Sequence, residues 1–371
     1  MIGMFRRISS ASAKILLAAI KATERPATGI VSRFASGVTW RGSALIFFAL
    51  LATLLAPLVA DRYLVSVLTT VLWFAYVGQA WNVMMGFSGL LSLGHALYVG
   101  LGAYVSAALF VHFGIGPWAG MILAILVAVA AGCIIGFLGF RFGVKGVHFA
   151  LLTIAFAEVA RIGFDHITWV GGSGGFFLPV EAGASDPLNL RGSPLLFYYV
   201  ALGLVLGALV LSRVLLHSRL GYQWLAVREE PDAAEASGVD LFRARMTAVA
   251  VSAAMTALGG VFQAFYFNNL FPEQVFSMGR SIEIILPAIV GGIGTLIGPI
   301  LGAFILTPLG ELLTFLIEAG GLDLPGLKQL FYGVALVVIV VFRPEGVWPW
   351  LARRLRLVRQ PGDYRQPGEG A

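Results

Sequence analysis

The amino-acid sequence predicts an all-α membrane protein, a polytopic bundle of about ten transmembrane or re-entrant helices. Three observations predict it. Of the 371 residues, 58% are hydrophobic and only 12% charged, a composition no water-soluble globule of this length could bury. Apolar runs recur at the length of about 20 residues that a helix needs to cross the hydrocarbon core. The basic residues, finally, fall into four clusters that ten crossings would place on one side, which the positive-inside tendency makes the cytosol, with both termini there.

Taken in order, residues 1–42 form a basic tail in which Glu24 is the only acid. That composition imitates a transit peptide or a basic surface helix, but no small-residue cleavage site follows an apolar core, so a cytosolic tail is expected. Membrane-length windows then occur at 43–60, 63–85, 90–111, 117–140, 146–164, 196–216, 243–267, 298–318 and 328–343, inside a membrane domain of residues 43–347. A tenth window, 281–294, spans only about 20 Å at about 1.5 Å per residue, so it is a broken helix or a re-entrant element. Residues 348–371 make a second basic cytosolic tail. Glycines four apart (Gly116 and Gly120, Gly132 and Gly136, Gly203 and Gly207, Gly294, Gly298 and Gly302) allow close helix packing in lipid. Two Gly-rich stretches, 86–102 and 291–302, count to cytosolic-side turns, and the long loop 165–194 and the segment 268–280 count to the outside. The outer loop, with Gly171-Gly-Ser-Gly-Gly175, Asp186 and Pro187, reads as a flexible surface loop.

The loop 216–242 is the one sizeable polar segment on the basic side. A two-turn helix is written in it: Pro231 suits a first helical position, Asp232 lies near the positive end, and Gly238 supplies a left-handed stop. A short rigid knob therefore hangs between two transmembrane helices.

Enzyme chemistry finds no footing. The chain has no Gly-x-x-x-x-Gly-Lys-Ser/Thr loop; Gly171–Gly175 lacks the lysine and the following helix. Zinc-protease and nucleophile-elbow motifs are missing, the five histidines are scattered, and Cys133 is the single cysteine, so no cofactor or metal is expected. The charge of +6 is distributed along membrane flanks, which excludes nucleic acid as a partner. Polar residues within apolar spans are costly and mark a path or a helix contact. Asn82, Ser88, Ser92, His95, Thr153, Gln263 and Glu311 are the candidates for a translocation path. An interhelical hydrogen bond also accounts for His95. A local ion pair with Arg161 accounts for Glu158.

Four stretches carry a resemblance. They are 81–96 (Trp-Asn-Val-Met-Met-Gly-Phe-Ser-Gly-Leu-Leu-Ser-Leu-Gly-His-Ala) with Gly-Ala-Tyr at 102–104, 146–158 with the glycines after it, the knob at 227–240, and 291–303 with Arg-Pro-Glu-Gly at 343–346. In these the chain resembles the inner-membrane permeases of branched-chain amino acid ABC importers, LivM type. The resemblance implies a permease that binds no ATP, pairs with a related permease, usually as a heterodimer, docks on two ABC ATPase subunits and receives substrate from an extracytoplasmic binding protein. It further implies that Arg228, Glu229, Glu230, Asp232, Ala233, Ala234, Glu235 and Gly238 form a coupling helix seated in the ATPase. The N-terminal tail is longer than the family core, and His148 stands where an aromatic is expected. Importers of urea, short-chain amides or aromatic acids have similar architecture. The contrasting reading is a self-sufficient ion-coupled carrier using Glu311, Glu283 or His95; a purely structural scaffold is a third.

Overall fold

The computed structural model describes residues 40–179, 189–319, 326–343, 345–355 and 357. The N-terminal tail to residue 39, Asp186 and Pro187 of the outer loop, and residues 358–371 lie outside them. The chain divides into two units, Ala52–Leu351 and a smaller one formed by Met1–Leu51 with Ala352–Ala371. The larger unit contains the knob and every path candidate.

The described chain is a helical bundle. After α1 (Trp40–Val59), Asp61 caps α2 (Arg62–Asn82) by accepting from Leu64 N at 2.9 Å, and α2 continues into one wide π turn, Val83–Phe87. Then come α3 (Ala96–Phe113), α4 (Pro117–Arg141), α5 (Val147–His166) and α6 (Pro194–Leu216), of which α4 and α6 carry proline at the first helical position. The polar loop holds α7 (Arg219–Glu229) and α8 (Pro231–Ala236), followed by α9 (Leu241–Phe267), α10 (Pro272–Val275), α11 (Met278–Gly291), α12 (Gly298–Ala319), α13 (Leu327–Phe342) and α14 (Val347–Arg354). Seven helices among the described residues are long and apolar enough to cross a membrane, and two shorter apolar helical stretches, Ala44–Val59 and Leu330–Ile339, accompany them.

Burial divides the bundle. The spans of α2 and α9 are 72% and 78% buried, whereas those of α4 and α5 are 28% and 22% buried and leave Ile122, Leu126, Leu151 and Val159 exposed, as a lipid-facing layer requires. At the centre α9 crosses α3 backbone to backbone. A methyl group on Gly102 would lie 2.1 Å from Ala257 O, and one on Gly260 would lie 2.0 Å from Val99 O. Such closeness substitutes for the hydrophobic drive that lipid removes.

Three expectations change. The third window does not begin a helix at residue 90: Gly89 to His95 are non-helical and, apart from the exposed Gly89, buried or half-buried, and α3 starts at Ala96. Apolar content alone cannot distinguish such a segment from helix, because its backbone is satisfied by distant partners. Among the glycine pairs, Gly132, Gly136, Gly298 and Gly302 do pack tightly, but Gly203 and Gly207 have open space where a side chain would go, so that pair makes no close helix packing among the described residues. Third, the outer loop is folded over its glycine-rich part, residues 168–177. Two 3-10 turns, Thr168–Val170 and Gly172–Gly174, lead into β1 (Phe176–Phe177), which pairs antiparallel with β2 (Asn269–Leu270), so the two outer segments are bonded to each other.

The short window resolves as a broken helix. α11 begins beside the β2 segment and ends at Gly291; Gly292 to Ile297 are not helical, and α12 returns against α11, with a methyl on Gly302 only 1.9 Å from Pro287 O. α11 starts within the bundle, where Arg280 lies over Trp73 and Phe74 in the middle of α2 and Ser281 accepts from Ala96 N at 3.1 Å, and the break after it brings Gly294 beside Gly86 and Arg228.

Candidate functional site

The knob is a helix–break–helix. Glu230, at φ −151° and ψ 97°, ends α7, and Pro231 starts α8. Gly238 at φ +87° stops it, with Gly238 N donating to Glu235 O at 2.9 Å and Val239 N to Ala234 O at 3.0 Å. The single coupling helix expected over 228–238 is thus corrected: Arg228 and Glu229 belong to the last turn of α7, and only Pro231–Ala236 forms α8. Glu229, Glu230, Asp232, Ala233 and Glu235 are exposed, while Ala234 faces inward at 5% exposure. An acidic outer face results.

Two ties hold the knob to the bundle. Trp224 is wholly buried, and its Nε1 donates to Ala244 O at 3.0 Å and Thr247 Oγ1 at 3.1 Å, which fixes α7 to α9. The second is Arg228, whose guanidinium donates to Gly86 O at the end of the π turn; Glu229 stands 3.8 Å from its Nε. Beside it, Asn82 bridges the two Gly-rich stretches, accepting from Gly294 N at 2.8 Å and donating to Thr295 O at 2.9 Å. Any side chain on Gly86 would strike Asn82 Oδ1 at 2.0 Å, and any on Gly294 would strike Arg228 at 2.4 Å. The knob, the π turn and the break after α11 therefore meet at one junction. Sequence reasoning missed both Trp224 and this convergence; the glycines at 86 and 294 were the only signal.

Four other candidates are bonded within the fold. Ser88 donates to Met84 O at 2.6 Å, and Ser92 O accepts from Trp81 Nε1 at 2.8 Å. Thr153 donates to Ala150 O at 2.6 Å and accepts from Leu93 N at 3.1 Å, pinning the non-helical segment to α5. His95 is fully buried between two serines, 2.9 Å from each. Ser252 donates its one hydroxyl hydrogen to Ala80 O at 2.8 Å, so it accepts from His95 Nε2–H, and Nδ1 accepts from the Ser92 hydroxyl. This is the interhelical link the sequence offered as an alternative to a path role.

Gln263 and Glu311 lie elsewhere. Gln263 lines a cavity of about 420 Å³ with Asn269, Glu273, Arg280 and Glu283, at the end opposite the knob. Glu311 is half-buried on α12, one residue from Gly310, which packs on Tyr332. Glu158 pairs with Arg161 at 2.6 Å as expected, and Arg161 reaches Asp165 at 3.0 Å as well. Among the described residues no cluster of His, Cys, Asp or Glu could hold a metal ion.

The family described as branched-chain amino acid transport system / permease component matches residues 63–341. The chain is 30% identical over 336 residues to the high-affinity branched-chain amino acid transport system permease protein LivM of Escherichia coli, covering 84% of this chain and 76% of that one. It is 25% identical over 321 residues to the probable LivM of Methanocaldococcus jannaschii, covering 75% and 92%. A third relative, the autoinducer 2 import system permease protein LsrC of an Enterobacter species, is 30% identical over 200 residues, covering 52% and 55%. No solved structure matches significantly.

Proposed function

The chain belongs to the branched-chain amino acid transport permease family, and on that premise we propose that it is the permease subunit of an ATP-driven importer for branched-chain or other hydrophobic amino acids. It lies in the inner membrane with the knob and both tails in the cytosol. A separate ATPase docks on α8, a related permease completes the pathway, and an extracytoplasmic binding protein delivers substrate to the β1 and β2 segments.

The observation that carries this reading is the bond from Arg228 to Gly86 O. A partner that grips the exposed acidic face of α8 moves α7, and α7 is tied both to α9 through Trp224 and to the junction of the two broken helices through Arg228. ATP-bound and free ATPase, gripping differently, then bias the bundle between two conformations, as any ligand with unequal affinity for two states does. Helix breaks at Gly89–His95 and Gly292–Ile297 are places where backbone angles can change without unwinding a span.

Among the path candidates we assign Gln263 and Glu311 to the pathway and treat Asn82, Ser88, Ser92, His95 and Thr153 as the ties that hold the broken segments. The test is reconstitution. Liposomes holding this chain, its ATPase, its sister permease and the binding protein concentrate leucine only with ATP; accumulation by the chain alone would return the ion-coupled carrier to first place.

A further inference from the structure

Two residues that line the cavity, Gln263 and Arg280, each carry a buried polar atom without a partner among the described residues. Gln263 is 6% exposed and its Oε1 has no hydrogen-bond partner among the described residues; the Nε of Arg280 is likewise buried and unpaired. Buried polar atoms left unsatisfied are uncommon and call for an explanation. The rest of the Arg280 side chain is firmly held. Its Nη1 donates to Glu283 Oε2 at 3.0 Å, and its guanidinium carbon lies 4.6 Å from the ring centre of Trp73, itself fixed by donating to Gly259 O at 2.8 Å. A rigid cation, a carboxylate beside it and a free amide acceptor thus share one space of about 420 Å³, in the range of small-ligand sites. Its mouth is formed by the exposed residues Asn269, Glu273 and Gln274.

We propose that this cavity binds the zwitterionic head of the transported amino acid, its carboxylate on Arg280 and its ammonium between Gln263 Oε1 and Glu283. The inference rests on the importer reading above and deepens it. Charge selects the head group. The lining carries one cation, Arg280, against two carboxylates, Glu273 and Glu283, so a bare organic acid meets net repulsion, while a neutral amide leaves the ion pair unused. A zwitterion answers both charges, each by a charge-assisted hydrogen bond. The terminal torsion of a glutamine is soft, so Gln263 can turn its oxygen to an ammonium at little cost. Phe267 and Val275 supply an apolar wall for the side chain.

The test measures tritiated L-leucine binding to the assembled permease–ATPase complex without binding protein, and, separately, ATP-dependent leucine uptake with it. Gln263→Leu removes the acceptor at similar volume, and Gln263→Glu keeps one. Binding should weaken about tenfold or more in Gln263→Leu, the equivalent of one hydrogen bond to a charged group, and should survive in Gln263→Glu. Arg280→Lys, which keeps the charge and loses the fork, should weaken it comparably. Recovery of the ATPase with each variant reports assembly, and a purely structural role would shift both Gln263 variants alike. Wild-type uptake of leucine with binding indifferent to Gln263→Leu overturns the site alone. No leucine uptake by the wild-type complex overturns the importer reading, and the zwitterion assignment with it.

Discussion

At the scale of single residues, the knob is governed by one guanidinium. Arg228→Glu places a carboxylate against Gly86 O, where two like partial charges meet, so the complex should still hydrolyse ATP while leucine uptake falls by about tenfold or more, the scale of one lost charge-assisted bond. Parallel measurement of hydrolysis and uptake checks this; a constant ratio of the two would remove Arg228 from the coupling route. His95 calls for the opposite outcome. Because both ring nitrogens are bonded within the core, His95→Ala leaves Ser92 and Ser252 short of a partner and should cost about 1 to 3 kcal/mol of stability. A lowered melting temperature is the signature, whereas full stability with lost uptake would mean that the histidine serves the path. The identity of His95 as a polar group in an apolar run was plain from sequence. Its partners were not, since Ser252 lies 157 residues away.

At the scale of elements, glycine decides what may move and what may touch. Gly238 sits at φ +87° with nothing within 4 Å of an added side chain, so Gly238→Val is penalised by backbone strain and not by collision. That strain is about 1 to 2 kcal/mol, confined to the end of α8, and pull-down of the ATPase should weaken while membrane insertion stays normal. Gly102 is the contrasting case. There a side chain would enter the backbone of α9, so Gly102→Val should cost roughly 1 to 3 kcal/mol or more and reduce the amount of folded protein, while Gly203→Val, facing open space, should be silent. Equal yields of the two variants would refute the assignment of α3 and α9 as the central crossing. Helix α8 was legible because Pro231, Asp232 and Gly238 are local punctuation. Helix α7 escaped notice because Arg219–Glu229 is polar and carries Gly221; what makes it a helix in place is the burial of Trp224 and Val227.

At the scale of the whole molecule, charge and burial divide the work. The outer face of the knob presents Glu229, Glu230, Asp232 and Glu235, so its fit is to a basic groove, and recovery of the ATPase with the permease should fall as salt rises from about 0.15 M to about 1 M, where screening shortens from about 8 Å to about 3 Å. Salt-independent recovery would assign the contact to apolar packing. The amino-acid sequence by itself determined that the chain is a helical membrane bundle, where the knob lies and which family it belongs to, because apolar length and turn residues are local signals. Only the tertiary structure decided that residues 89–95 are not helical, that the two glycine-rich stretches meet at Arg228, and that Gln263 shares a cavity with Arg280. The reason is physical. Backbone outside a helix persists in an apolar interior only when its polar groups find partners, and here Leu93 N finds Thr153, Ala96 N finds Ser281 and Gly294 N finds Asn82, across 60 to 212 positions that no local pattern records.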